Sequence, residues 1–332
     1  MAKQELLEVR NLRVEMATHG GTVPVLRGVE IKIQRGEIVG LVGETGSGKT
    51  MTALAIMRLL PTPPMRLTDG KVIFDGEDLV QEDEGAMNEM RGKRIAMIFQ
   101  DPVSYLNPVF TIGQQMIDVI SAHSHPQSAS SGEPLHSGTP RERAMQLLHM
   151  VNFPEPEKWF DDYPHQVSGG MAQRVMIAMA LSASPEFLIA DEPTSALDVT
   201  VQAQILKLIH DLARNQGLSV LFITHNLAAM VQVCTKVNVM YLGQVVESCS
   251  VDDLMRGPLH PYTQGLIRAV PTISSETARL LGIPGNIPSL FDLQAGCSFT
   301  ARCPIREQIC QVEEPVLQQV EPGHLVACHF PS

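Results

Sequence analysis

Glu37-Ile-Val-Gly-Leu-Val42, then Gly43-Glu44-Thr45-Gly46-Ser47-Gly48-Lys49-Thr50, then Met51–Leu60: this stretch decides the fold. The central run fits the phosphate-cradling pattern G-x-x-x-x-G-K-[ST]. The apolar run before it reads as a buried strand. The Gly- and Pro-free run after it reads as a helix, so the strand–loop–helix context that the pattern requires is present. Phosphate is a dense anion. Glycines let the backbone curl so that several N–H groups point inward, and the helix N-terminus adds positive dipole. Lys49 is placed to reach β- and γ-phosphates, and Thr50 to hold Mg²⁺.

Composition limits what surrounds this loop. The chain has 332 residues, 44% of them hydrophobic, enough to bury a sizeable core. Its 36 acidic and 25 basic side chains leave a net charge of −11, against the concentrated basic face of a nucleic-acid-binding protein. No stretch approaches the roughly 20 apolar residues of a membrane span. The N-terminus, MAKQELLEVRNL, lacks the apolar core of a signal peptide. These features predict a protein kept in the cytoplasm, with docking on a membrane protein still open.

Short apolar runs at Leu6–Met16, Val29–Ile33, Ile38–Val42, Lys71–Phe74 and Ile95–Phe99 predict strands through residue 120. Residues 121–140 are Ser, Pro, Gly and His without periodicity and predict a surface loop carrying His123, His125 and His136. Helices are predicted at Arg141–Val151, Gly170–Ser182, Val199–Asn215 and Leu227–Val233. Strands are predicted at Phe187–Ala190, Ser219–Thr224, Val237–Leu242 and Gln244–Glu247. This alternation implies an α/β fold with a largely parallel sheet under helices. From Gly257 prolines recur at 258, 261, 271, 284 and 288, and residues 257–332 read as a separate extension after a 1–256 core.

Phe187-Leu-Ile-Ala-Asp191-Glu192 is an apolar strand ending in two acids. Asp191 suits Mg²⁺, and Glu192, one residue on, suits polarising an attacking water. Val167-Ser168-Gly169-Gly170-Met171 opens a helix, with Ser168 as a candidate N-cap. The order of these elements resembles the ATP-binding cassette (ABC) ATPases over residues 5–250 or so. Ser168-Gly-Gly matches the family signature. Gln100 matches the glutamine loop, Ser195-Ala-Leu-Asp198 the loop after the acidic strand, and His225 the switch histidine. The resemblance implies a P-loop cassette with a mixed sheet core and a helical subdomain near residues 101–185. It also implies two cassettes facing head to tail. Ser168, Gly169, Gly170 and Met171 would then meet the ATP bound by the partner, His225 would contact the γ-phosphate in its own subunit, and Gln100 would touch Mg²⁺ or the water. One departure is the lack of an aromatic between Val14 and Val25 to stack on adenine. Met16 and Val23 are the nearest apolar candidates.

Ile98-Phe-Gln-Asp-Pro102, Tyr163-Pro-His-Gln166 and Pro258…His260-Pro-Tyr-Thr263 narrow the resemblance to the ATPase subunits of bacterial oligopeptide and dipeptide importers. It implies a homologous second ATPase subunit, two membrane permeases and a substrate-binding protein as partners, with this chain peripheral on the cytoplasmic membrane face. Nickel chelates, glutathione and opines are alternative cargoes, and a soluble ABC ATPase is an alternative class. Four of six cysteines fall in the extension as Cys297-x5-Cys303-x6-Cys310 with Cys328 after 17 more residues. Such a cluster in a cytosolic chain suggests metal before disulfides. Zinc sites more often show C-x2-4-C pairs, while iron–sulfur centres tolerate varied spacing. The spacing leaves iron–sulfur, zinc and free thiols open, and the resemblance implies a [4Fe–4S] cluster. Cys234 and Cys249 read as small buried hydrophobes.

Overall fold

The computed structural model describes residues 4–123, 138–195, 197–270, 282–293 and 295–332. The chain divides into two compact units, Met1–Val80 with Phe222–Ser332, and Gln81–Leu221. In chain order the strands among the described residues are β1 (Glu5–Thr18), β2 (Gly21–Gln34), β3 (Ile38–Val42), β4 (Met65–Phe74), β5 (Glu77–Asp78), β6 (Ile95–Ile98), β7 (Phe187–Asp191), β8 (Ser219–Thr224), β9 (Lys236–Tyr241), β10 (Gln244–Ser250), β11 (Gln318–Glu321) and β12 (His324–Val326).

In the first unit β2, β1, β4 and β5 form an antiparallel sheet in that order. Leu7 faces Ile33, Val9 faces Ile31 and Leu12 faces Val29, all buried, so the register is set by apolar pairs on the core face. A second group begins with β3, five buried residues paired in parallel with β9. From there β9, β10, β12 and β11 pair antiparallel. The expected largely parallel sheet is thus found only in part. A parallel pair needs a crossover of a dozen or more residues. The segments between β1 and β2 and between β9 and β10 are two-residue turns, which force antiparallel pairing.

The extension joins the first unit through β12, whose Val326 and Leu325 pair with Glu247 and Ser248 of β10. Composition changes near residue 257, but the compact unit runs across that point. Glu247 explains why. Its carboxylate is fully buried and accepts from the Leu259 N–H at 2.7 Å, the His260 N–H at 3.0 Å and His324 Nε2 at 2.7 Å. A buried carboxylate is costly unless donors replace its water, and here three donors from beyond residue 257 do so for an acceptor that precedes it. Cys249 is fully buried in the same group, its sulfur within 4.8 Å of Glu247 and His324 ligand atoms, so its surroundings are not purely apolar as expected.

In the second unit β6 and β7 pair in parallel, Ile95 against Phe187 through Ile98 against Ala190. Helices Pro140–Met150, Gly169–Ala180 and Val199–Gln216 lie within two residues of expectation at either end. Pro140–Met150 starts at a capping box between Thr139 and Glu142. The helix Ile112–His123 was not expected. Its buried Ile112, Met116 and Ile120 recur every four residues, a period masked by the polar residues between them. It places His123 half-buried, Nδ1 3.2 Å from Ser182 Oγ. His125 and His136 lie outside the described residues. Among the described residues no helix is long and apolar enough to cross a membrane.

Glu247→Ala leaves buried donors and His324 without an acceptor. It should lower the unfolding free energy by about 3–5 kcal/mol, the cost of breaking a buried pair, measured by chemical denaturation against wild type.

Candidate active site

β3 delivers the chain into Gly43, and the helix Lys49–Ile56 carries it away. A Cβ on Gly43 would lie 2.2 Å from the Met240 carbonyl oxygen, so only glycine passes this point. The Ser47 carbonyl accepts from the Gly243 N–H at 2.8 Å, which ties the loop to the turn after β9. Lys49 is 5% exposed, and its ammonium donates to the carbonyls of Gly43 at 2.8 Å and Glu44 at 3.0 Å. Thr45 and Gly46 are exposed at the crest, and Thr50 is half-buried in the first helical turn. The loop is therefore curled and open outward, the form in which backbone N–H groups receive an anion. His225 follows β8 and is exposed, just before the helix Leu227–Val233 that Asn226 caps through the Ala229 N–H at 3.2 Å.

The unit also places the candidate base contacts. Met16 and Val23 are direct cross-strand partners in the β1–β2 hairpin. Val23 is 4% exposed and Met16 is half-buried, so Met16 has the more surface to offer a ligand.

The second unit holds the acids. Asp191 ends β7 at 2% exposure. Glu192 follows with φ +46°, a left-handed conformation that costs a non-glycine residue strain and often marks a functional position. Its carboxylate accepts from the Gln100 side-chain amide at 3.0 Å. Ser195 Oγ donates to the Gln100 carbonyl at 3.2 Å and the Glu192 carbonyl at 2.9 Å. Gln100 and Glu192, 92 residues apart, are thereby joined as one polar pair.

Ser168 caps the helix Gly169–Ala180, its hydroxyl accepting from the Met171 N–H at 3.3 Å. Ser168 and Gly169 are exposed, while Gly170 packs so closely that a Cβ would meet Val201 at 2.8 Å. Asp198 caps the helix Val199–Gln216 through the Val201 N–H at 2.9 Å. Both caps therefore satisfy helix-start donors whatever else they do.

A family model described as ABC transporter matches residues 26–195. A second, the oligopeptide/dipeptide transporter C-terminal region, matches residues 246–310. The chain is 47% identical over 324 residues to a probable peptide ABC transporter ATP-binding protein of Sinorhizobium fredii, covering 97% of this chain and 94% of that one. It belongs to the ABC transporter family. It is an ATP-hydrolysing cassette subunit. The oligopeptide transport ATP-binding protein OppD of Bacillus subtilis is 44% identical, covering 97% of this chain and 87% of that one. The dipeptide transport ATP-binding protein DppD of Escherichia coli is 41% identical, covering 98% and 97%. Among solved structures, an ATP-binding cassette dimer in a post-hydrolysis state bound to ADP and Pi superposes with a TM-score of 0.64 at 25% identity, covering 74% of this chain and 99% of that one.

Two residues of this ABC subunit's loop environment escaped the sequence reading. The Glu44 N–H donates to the Tyr262 hydroxyl at 2.8 Å. The Glu44 carboxylate takes a two-pronged hydrogen bond from Arg302 at 2.7 and 3.1 Å. His-Pro-Tyr was the available signal for Tyr262. His260, 2% exposed, caps the helix Pro261–Arg268 by accepting the Tyr262 N–H at 3.0 Å, and burial pushes its pKa down to about 3, so the ring acts as a neutral acceptor. Arg302 carried no signal, since a lone arginine among prolines and cysteines has no spacing to read.

Cys297, Cys303, Cys310 and Cys328 line one small pocket with Phe299, Ile305 and His329. The Cys297 N–H donates to the Cys310 carbonyl at 2.8 Å, and Thr300 Oγ1 donates to the same carbonyl at 2.8 Å. Neither neighbouring histidine is a spare ligand at Nε2, since His324 contacts Glu247 and His329 the Glu313 carbonyl at 2.9 Å. Burial raises the Cys297 and Cys303 thiols and pushes Cys328 up to about 11. Among the described residues, the three-donor group gathered within 4.8 Å is Glu247, Cys249 and His324, and it includes none of these four sulfurs.

Gly43→Ala should weaken ATP binding about five- to 150-fold, the equivalent of overpacking strain of about 1–3 kcal/mol on the loop. Equilibrium titration with a fluorescent ATP analogue checks this.

Proposed function

We infer that this chain is the ATP-driven motor of a peptide importer, hydrolysing ATP at a cassette dimer interface to drive di- and oligopeptide uptake through partner permeases. The observation that carries the hydrolytic part is the Gln100–Glu192 pair next to the buried Asp191. The cargo rests on the match of the C-terminal region and on relatives whose names state peptide, oligopeptide or dipeptide transport.

The residues take these roles. Loop N–H groups of Gly43 to Gly48 other than those of Glu44 and Ser47, which bond within the protein, hold the β- and γ-phosphates with the Lys49 ammonium, and Met16, with Val23 behind it, offers apolar contact to the base. Thr50, Asp191 and Gln100 would hold Mg²⁺, which would supply positive charge against the phosphates. Glu192 takes a proton from the attacking water as it adds to the γ-phosphorus. The hydrogen bond from Gln100 to one Glu192 oxygen leaves acceptor sites for that water and ties the base to the glutamine loop. His225 donates to the γ-phosphate. Ser168, Gly169, Gly170 and Met171 meet the nucleotide of a second ATPase subunit, and Asp198 lies at that interface. Charge stabilisation and positioning supply most of the acceleration.

The permeases would dock on the second unit just after Gln100. Tyr105, Val109 and Phe110 are 58%, 70% and 47% exposed there, with Tyr105 stacked on Phe99 at 4.1 Å between ring centroids. Exposed apolar side chains gathered in one segment mark an interaction surface. This docking puts the chain on the cytoplasmic face of the membrane, within a complex that takes peptides from a substrate-binding protein.

The extension would hold a [4Fe–4S] cluster through Cys297, Cys303, Cys310 and Cys328. Four thiols around an apolar pocket fit that donor set. Metal binding would displace the thiol protons that burial favours. The cluster would staple a Pro-rich segment too short for its own core.

In the reconstituted transporter, Glu192→Gln should keep ATP binding and cut both ATP turnover and ATP-dependent peptide uptake by about 10²–10⁴-fold, the range for loss of a general base. Turnover near wild type, with the partner site disabled, would remove Glu192 from this role. Anaerobic purification should yield brown protein absorbing near about 400 nm, bleached by iron chelation. Colourless protein with stoichiometric zinc would rule the iron–sulfur reading out.

A further inference from the structure

Glu44 sits in a loop built to receive a polyanion, yet it carries a carboxylate. Every polar group of this residue is engaged within the first unit. Its N–H donates to Tyr262 Oη, its carbonyl accepts from Lys49 Nζ at 3.0 Å and the Ser47 N–H at 3.2 Å, and its carboxylate takes both Nη1 and Nη2 of Arg302. Arg302 is held as firmly. Its side chain is 3% exposed, Nε donates to the Pro284 carbonyl at 3.2 Å and Nη2 reaches the Ile283 carbonyl at 3.4 Å. The guanidinium lies 5.9 and 6.0 Å from the ring centroids of Tyr241 and Phe299, which pack edge to face. It ends the turn Thr300–Arg302, between Cys297 and Cys303.

We propose that Arg302 is a positioning residue for ATP binding: it supplies the countercharge that makes Glu44 compatible with a bound triphosphate, so the C-terminal extension sets the nucleotide affinity of the phosphate loop. A carboxylate without that partner would repel the phosphates and swing into the space they need, in a partly buried setting where charges are poorly screened. Arg is suited to the task. Its planar fork holds both carboxylate oxygens at once, turning the negative charge toward the extension, and it stays charged throughout the physiological range. Tyr262 fixes the backbone of the same residue, so two side chains of the extension act on one position of the loop. The inference rests on the assignment of Gly43–Thr50 as the nucleotide loop.

The test is a charge cycle on the full-length chain in its transporter, reading KM for ATP apart from kcat, with direct ATP-analogue binding alongside. Arg302→Gln should raise KM about tenfold with kcat within about twofold, because the unpaired carboxylate penalises binding rather than the chemical step. Arg302→Lys should fall in between, keeping the charge and losing the fork. Glu44→Gln alone should lower KM about twofold or more, since a buried cation then faces the phosphates without its anion. The double variant Arg302→Gln with Glu44→Gln should return KM to within about threefold of wild type. A purely structural tie would be further weakened, not rescued, by neutralising Glu44. An unchanged KM in Arg302→Gln, or additive losses in the double variant, overturns the proposal. Should Arg302→Gln fail to fold, a KM for Glu44→Gln above wild type overturns it equally. Lys49→Ala, measured in parallel, should abolish binding. Its failure to do so would indict the loop assignment and not the countercharge.

Discussion

The narrow passage at Gly43 is the constraint on which the nucleotide end of this molecule depends. β3 must be buried to carry the loop, and burial brings the strand's end against the Met240 carbonyl. No side chain fits there, so the backbone turns at once and the loop curls with its crest outward. That curl is the form in which peptide N–H groups turn toward an anion. Lys49, held by the Gly43 and Glu44 carbonyls, adds one positive charge to a cradle otherwise made of peptide dipoles.

Segments whose structure is enforced locally were legible in the sequence. β3 and β7 are continuous apolar runs, as strands buried on both faces must be. Ser168 announces the helix it caps by residue type and position, while the Thr139 and Asp198 caps emerged only in the structure. The phosphate loop and the acids after β7 were readable because their chemistry needs particular residues at particular spacing. The helix Ile112–His123 was missed because its apolar stripe is thin and polar residues interrupt it. Strand–helix alternation alone points to a largely parallel sheet, whereas the resemblance implies the mixed sheet that is found, because short turns decide the pairing locally.

What stayed hidden were contacts between residues remote in sequence. Gln100 and Glu192 each had a motif to identify them, but not the hydrogen bond that joins them. Glu247 looked like the end of an ordinary strand, and only its three donors reveal it as the post to which the extension is tied. The cysteines were conspicuous, yet their gathering around one pocket depends on the turn Thr300–Arg302 and on β12 bringing Cys328 back. Pattern reading finds groups that act through their own spacing and misses those that act through folding.

Arg302 and Glu44 are separated by 258 positions along the chain. A ribosome adding about 5–20 residues per second makes the glutamate some 10–50 s before the arginine that neutralises it. During that interval the nascent chain carries a phosphate loop with its carboxylate unmatched and with Tyr262 also still to come. Completion of the nucleotide pocket therefore waits on the segment that carries Tyr262 and Arg302, and a product of translation interrupted before it carries an unfinished pocket.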